Sequence, residues 1–386
     1  MSTNITHAGV AIVAPRAPLQ IIQVPDTKPS AGQVLVEVHW VGSTPFDLHQ
    51  ADGGLGVTPP QILGDTAVGA VVEVGEGVEH LKVGDQVFGF LPPVHKQAAQ
   101  QEFITIPAHL LGKVPQNVKP EAAATVPSSF VTTWHALTSD LSIDLPYPKP
   151  ADYTPPNASA PILLWGASTS VGQYVLQVLK HYGYTNIPVT ASPRHHDLLR
   201  SLGATETYDY TSSEDLARLR DVLAQHGSGE RVKVLDNIGS VEGSMEPLSR
   251  ITPPGSLVAV LLPVIKTHAE QDRAPEYTLD THSLVNWKEG VQTVGVRTHF
   301  YEANEVLKRD LQPLIMPELL VQGVITPNKT RVVEGSTLLE RAQNAIDILR
   351  RRERVPDEKV PSLAHLSDWE SNPAFARTTA NHTRNE

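Results

Sequence analysis

The stretch Ile162-Leu-Leu-Trp-Gly-Ala-Ser-Thr-Ser-Val-Gly172 constrains this chain more than any other, because it spells strand, tight turn and helix in eleven residues. The helix that follows the turn carries Val171, Tyr174, Val175, Val178, Leu179 and Tyr182 at offsets 0, 3, 4, 7, 8 and 11, a single apolar face at helical period. Apolar runs at 162–166, 187–191, 232–238, 256–262 and 291–296 then alternate with amphipathic segments. Such alternation predicts βαβ units in a parallel, doubly wound sheet. In that setting the turn binds the pyrophosphate of a dinucleotide on free backbone N–H groups, with the helix dipole behind them. Measured against G-x-G-x-x-G, Ala167 and Thr169 replace the first two glycines and Gly172 keeps the third. Ser168, Thr169 and Ser170 offer hydroxyls beside the helix start, next to Val171, although the same hydroxyls would also serve as caps.

The second strand selects the nucleotide. An acid about 20 residues beyond the turn would hold the ribose 2′-OH of NAD, and none stands at that strand end. Ala191-Ser192-Pro193-Arg194-His195 instead supplies the Ser192 hydroxyl and the Arg194 guanidinium, with His195 beside them. A guanidinium suits a 2′-phosphate through charge-assisted hydrogen bonds, so NADPH is the expected cofactor.

Before residue 125 the texture differs. Val-rich runs at 34–41, 66–74 and 86–90 are bounded by Gly, Pro and Asp, which predicts short strands curving into a small barrel. Residues 145–161 carry six prolines and read as an extended connection. Residues 264–289 are polar and read as a surface insertion, and helical patterns follow at 305–323 and 338–352, with a strand candidate at 329–333. The polar segment 366–386 lacks periodicity and is expected to be a disordered tail.

Composition removes several classes of function. With 31 Lys+Arg against 42 Asp+Glu the net charge is −11, which disfavours nucleic acid and anionic membranes as partners. The absence of Cys excludes disulfides, thiolate catalysis and every Cys-ligated metal site. No apolar run approaches the roughly 18–20 residues that span a bilayer. The first residues lack a charged start followed by an apolar stretch, so no secretory signal is evident and a cytoplasmic location is the expectation.

Residues 64–90, the turn 165–172 and the segment Ser192–His196 together with Leu202-Gly-Ala204 and Tyr208-Asp-Tyr210 resemble the medium-chain dehydrogenase/reductases. Within them the chain is most similar to the zinc-independent, quinone-oxidoreductase-like branch. Through Pro127–Leu137 and Arg331–Gln343 it resembles the trans-acting enoyl reductases of fungal polyketide biosynthesis. The resemblance implies an α/β fold in which a GroES-like β-rich catalytic domain (1–130) encloses a Rossmann domain (131–300), with a return to the catalytic domain at 301–365. It also implies NADPH in the cleft between them and hydride delivery to an activated double bond without a metal, since Gly64-Asp65 stands where the zinc branch presents Gly-His-Glu.

The family motif Asn-Pro-x-Asp-x-Lys appears as Thr44-Pro-Phe-Asp-Leu-His49. By resemblance Phe46 and Asp47 would touch the cofactor, and His49 takes the place of the active-site lysine. His49 could donate a proton near neutral pH more readily than a lysine. Thr132 falls where the family has a threonine beside the nicotinamide and substrate, and it could equally be a helix cap. Tyr210 by the adenine, Asn237, Ile238, Leu262 and Lys359 are further implied cofactor contacts. Lys359 belongs to a degraded version of the family's last strand, Val355–Val360, with Pro361 expected to end its pairing. The implied substrates are a small molecule or an acyl thioester, with a polyketide synthase as a partner, and the chain would be a monomer or a homodimer joined near 291–296. A general quinone or enone reductase and a non-catalytic NADPH-binding protein are the alternatives.

Overall fold

In a computed structural model the chain is described over residues 6–92, 97–225 and 231–351, with the backbone of 362–365. The first part runs β1 (Thr6–Ile12), β2 (Gln20–Pro25), β3 (Gln33–Ser43), α1 (Pro45–Gly53), β4 (Gln61–Ile62), β5 (Thr66–Val74), β6 (Gln86–Phe90), β7 (Phe103–Pro107) and β8 (Gly112–Lys113). Helices α2 (Pro120–Ala123) and α3 (Pro127–His135) lead out of it. Next come β9 (Ile162–Trp165), α4 (Ser170–Tyr182), β10 (Pro188–Thr190), α5 (His196–Leu202), β11 (Glu206–Tyr208), α6 (Ser213–Gln225), β12 (Lys233–Asp236), α7 (Glu246–Ile251) and β13 (Leu257–Leu261). The chain continues through β14 (Val264–Thr267), β15 (Glu276–Thr278), β16 (Gln292–Val296), α8 (Glu305–Asp310), α9 (Met316–Val321), β17 (Arg331–Val333), α10 (Leu338–Arg351) and β18 (Ser362–His365).

Two principal sheets result. The mainly antiparallel one has the order β17-β18-β3-β5-β6-β8, with β7 also on β3 and with β17 and β18 running parallel. Its centre is β3, whose Val34, Val36 and Val38 turn inward while Leu35, Glu37 and His39 stay partly exposed, the period-two alternation of a half-buried strand. The parallel sheet has the order β11-β10-β9-β12-β13-β16. Leu163, Leu164, Val234, Leu235, Val258 and Val260 of its middle strands are fully buried, as expected of a sheet covered on both faces. Counted along the chain this is the order 3-2-1-4-5-6, which reverses between β9 and β12 and opens a crevice at their carboxyl ends. Strand β16 is the sheet's edge. Helix α3 packs on α4 through Phe130 against Tyr174 and Trp134 against Tyr182, ring centroids 6.4 and 6.2 Å apart.

One sequence expectation changes. The supposed surface insertion folds as an antiparallel hairpin, β14–β15, with a bulge between Ile265 and Thr267. It does not simply coat the surface: Arg16 donates to the carbonyls of Glu270 (3.0 Å), Gln271 (2.6 Å) and Arg273 (2.8 Å), gripping the hairpin loop. The last described strand begins after Pro361 and pairs with β3 and β17. Pro361, expected to end the pairing of the preceding run, lies outside the described residues. Lys359, the run Val355–Val360 and the tail 366–386 lie outside the described residues.

Candidate active site

A cavity of about 830 Å³ lies between the two sheets, within the size range of small-molecule and cofactor sites. Helix α1 forms one wall. Pro45 at its first turn carries a fixed φ and no N–H, which suits a helix start. The Thr44 N–H donates to Asp47 Oδ2 at 2.9 Å, so Asp47 closes the helix end from inside. Asp47 itself is buried and is not among the residues that line the cavity, whereas Phe46 and His49, on the same helix, are.

His49 Nδ1 lies 2.7 Å from the Tyr277 hydroxyl, and the rings meet edge to face with centroids 4.7 Å apart. Burial pushes the imidazole down to about 4, because desolvation disfavours the charged ring. That direction runs against the expectation of a readily donated proton near neutral pH, because burial favours the uncharged ring. Tyr277 comes from β15. Its ring lies over Gly53, where a Cβ would come within 2.2 Å of Tyr277 Cε2, so only glycine leaves room.

Opposite α1 stands α3. Thr132 is the sixth residue of that helix and donates to Ser128 O at 2.7 Å, one turn back. It is no N-cap, a correction that follows from helix register, because Val126 holds the cap position. With the Thr132 proton committed to Ser128 O, the Thr298 hydroxyl is left to donate to Thr132 Oγ1 across 3.0 Å. Asp65 also faces the cavity; its carboxyl accepts from the hydroxyls of Thr66 (3.1 Å) and Ser128 (3.4 Å). Burial and the neighbouring Asp47 carboxyl push Asp65 well above the usual carboxyl range, which favours its protonated form. His299 sits between Phe46 and Phe90, centroids 4.9 and 4.8 Å away. Its Nε2 is buried without a partner, and burial lowers its pKa to about 4.

The other end of the cavity is the turn after β9. Gly166 has φ +71°, a left-handed conformation that favours glycine. Thr169 caps α4 by accepting from the Gly172 N–H at 3.1 Å. A Cβ on Gly172 would lie 2.6 Å from Ala167 O, so this third glycine lets helix and strand approach closely. Ser168, Thr169, Ser170 and Val171 line the cavity; Gly172 stands behind them. As the first two residues of α4, Ser170 and Val171 have N–H groups with no carbonyl one turn earlier in the helix.

Arg194 and His195 line the cavity too, with Arg194 Nε donating to His195 Nε2 at 3.1 Å. Ser192 and Tyr210 meet hydroxyl to hydroxyl at 3.3 Å just outside it. Asn237, Ile238 and Leu262 complete that end. Asn237 Nδ2 donates to Trp165 O at 3.0 Å, tying β12 to β9, while its Oδ1 is buried and unpaired. An anion-ready helix start, a guanidinium and an orphaned acceptor at the sheet's reversal point fit a nicotinamide dinucleotide.

The structure therefore brings together His49, Thr132, Phe46, the turn 168–171, Arg194, His195, Asn237, Ile238 and Leu262 around one space. Tyr277, Thr298 and His299 were absent from the sequence reading, and Asp65 entered it only as a departure from the zinc-binding motif. His299 and Thr298 follow the sixth parallel strand, and the rule that ligands bind at carboxyl ends of strands could have found them. Tyr277 is 228 residues from His49 and carries no local signal.

A GroES-like antiparallel fold joined to a doubly wound sheet, with the crevice of the second opening on the first, defines an alcohol-dehydrogenase-like oxidoreductase. Residues 30–116 match the alcohol dehydrogenase GroES-like domain. The chain is 31% identical over 231 residues to the trans-enoyl reductase tazE of Aspergillus terreus, covering 57% of this chain and 74% of that one. It is 35% identical over 219 residues to the enoyl reductase component lovC of the Aspergillus terreus lovastatin nonaketide synthase, covering 55% and 57%. The solved structure of the CurK enoyl reductase aligns with a TM-score of 0.68 at 18% identity, over 93% of this chain and 99% of that one. The chain belongs to the medium-chain dehydrogenase/reductase family, in its zinc-independent branch and close to the fungal enoyl reductases.

Proposed function

We propose that the protein is an NADPH-dependent, metal-free enoyl reductase that saturates a C=C bond conjugated to the carbonyl of an acyl thioester, working in trans with a polyketide synthase. The observation that carries this reading is the single cavity in which the dinucleotide turn and Arg194 at one end meet His49, Thr132 and Thr298 at the other. The names of tazE and lovC support the substrate class and the partner. The family supplies the nicotinamide cofactor, and Arg194, with no acid at the end of β10, favours the 2′-phosphate form.

In this reading the antiparallel part (1–130 and the return 301–365) supplies the catalytic wall, and 131–300 binds the nucleotide. The N–H groups at the α4 start and the hydroxyls of Ser168 and Ser170 hold the pyrophosphate; Arg194, with Ser192 beside it, holds the 2′-phosphate, and Tyr210 flanks the adenine. Asn237, Ile238 and Leu262 position the nicotinamide end. When bound, NADPH supplies a hydride to the β-carbon. The π electrons of the C=C bond then move to the thioester oxygen as an enolate, and a solvent-derived proton reaches the α-carbon as the carbonyl reforms. Donors aimed at that oxygen lower the barrier; the neutral His49 imidazole is placed to be one.

The test is fluorescence titration with NADPH and NADH, followed by absorbance decay with crotonyl-type thioesters and, in parallel, 9,10-phenanthrenequinone. Selective NADPH binding with thioester turnover is the expected result. Quinone turnover alone would replace the thioester reading by a general quinone reductase, and binding without turnover on either would reject the reductase reading.

A further inference from the structure

Helix α1 and the β14–β15 hairpin belong to different halves of the chain, yet a chain of polar contacts locks one onto the other beside the cavity. Asp52, near the end of α1, accepts from Arg350 on α10 at 2.7 and 2.9 Å and from Arg16 at 3.4 Å. Arg16 in turn holds three carbonyls of the hairpin loop. Gly53 provides the gap into which the Tyr277 ring fits. The hairpin thus delivers one phenol against Nδ1 of His49.

We propose that Tyr277 is a positioning residue: its hydroxyl donates to His49 Nδ1 and fixes the tautomer that carries its proton on Nε2, so that the imidazole presents an N–H to the substrate's carbonyl oxygen. A phenol is the stronger donor of the pair and an uncharged imidazole nitrogen the stronger acceptor, and the hydrogen bond on one ring nitrogen decides which nitrogen carries the proton. No other hydrogen bond engages Tyr277 Oη or His49 Nε2 among the described residues, so the phenol proton has one destination. His49 lines the cavity and Tyr277 does not; the tyrosine therefore acts through the histidine. With Nδ1 occupied, the ring serves as a fixed dipole toward the oxygen that becomes negative when hydride arrives, and gives up no proton of its own. The donor role rests on the reductase reading above; the tautomer does not.

The experiment is ¹⁵N nuclear magnetic resonance of the ring nitrogens at pH 7 in the full chain, with His49 assigned by its loss in His49→Gln, compared between wild type, Tyr277→Phe and Gly53→Ala. Wild-type His49 should show a protonated Nε2 and a bare, hydrogen-bonded Nδ1. Both variants should move it toward a mixture of tautomers. Gly53→Ala displaces the ring without removing the hydroxyl, so it reports independently if Tyr277→Phe folds poorly. In steady-state assays with the thioester, Tyr277→Phe should lower kcat by roughly ten- to a hundred-fold while leaving KM and the NADPH Kd within about twofold. A wild-type His49 protonated on Nδ1, or a tautomer unchanged in both variants, overturns the proposal whatever the substrate proves to be. An altered tautomer with unchanged kcat overturns the donor role. If wild type fails to reduce any thioester, the reductase reading falls while the spectrum still decides the tautomer.

Discussion

The guanidinium of Arg350 forks onto Asp52, Nη2 to Oδ1 at 2.7 Å and Nε to Oδ2 at 2.9 Å, with the Asp52 side chain wholly inaccessible and that of Arg350 19% exposed. A buried carboxylate that loses its cation is left with its desolvation cost uncompensated. Arg350→Ala should therefore destabilise the fold by about 3 kcal/mol, read as a lower midpoint in urea denaturation. A shift of under about 0.5 kcal/mol would mean that Arg16 alone satisfies Asp52.

Arg194 is the only cationic side chain that the loop after β10 sends into the cavity wall, apart from the titratable His195. Arg194→Ala should weaken NADPH by about 1–3 kcal/mol and spare NADH. Titration of both nucleotides distinguishes this from a general loss: equal weakening would remove Arg194 from recognition of the 2′-phosphate.

His49→Gln removes the imidazole but keeps a side chain able to bridge part of the gap to Tyr277. The rate of thioester reduction should drop by roughly a hundred-fold, with NADPH affinity changed by less than about threefold. Unchanged turnover would exclude His49 from the mechanism.

His49 and His299 are both held near 4 against an ordinary 6.5. Between those values the unfolded chain takes up protons that the folded chain refuses, so each group costs stability as the pH falls through that window and costs none above it. Asp65 has the opposite sign, since its raised pKa makes the folded form the better proton binder. Comparing His299→Gln with wild type isolates the histidine: the variant should gain about 1–3 kcal/mol relative to wild type between pH 7.5 and pH 4.5. Parallel stability curves would show that His299 is hydrated.

A methyl group on Gly172 would press on the backbone of Ala167, 2.6 Å from its oxygen and 2.7 Å from its Cα. Gly172→Ala should cost about 1–3 kcal/mol of stability and weaken both nucleotides alike, because it shifts the helix start and not the 2′-phosphate site. Selective loss of NADPH would contradict that account.

The parallel sheet was legible because its signal is local: Leu163 and Leu164 are apolar on consecutive positions, and the face of α4 repeats at helical period. The cofactor turn was legible for the same reason, even with Thr169 in place of a glycine, since strand, turn and helix remain contiguous. Side chains of the catalytic-domain wall were legible only where one motif carried them, as with Phe46 and His49, which both line the cavity. Tyr277 was hidden because Glu276-Tyr277-Thr278 is too short a strand to show a period, and its value comes from Gly53 more than 220 residues away. The lowered pKa of His49 had no sequence signal, because burial is a property of the assembled cleft, not of its neighbours in sequence.

Strand β18 does not extend an edge; it lies between β17 and β3, joining residues 362–365 to residues 40–43. The parallel sheet, by contrast, draws all its strands from one continuous stretch, 162–296. On a ribosome the nucleotide-binding half can form as soon as that stretch has emerged. The antiparallel sheet, begun hundreds of residues earlier, must wait with an unfilled slot beside β3 until residues 362–365 have been made. Synthesis therefore imposes an order in which the crevice of the parallel sheet exists before the antiparallel side of the molecule is complete.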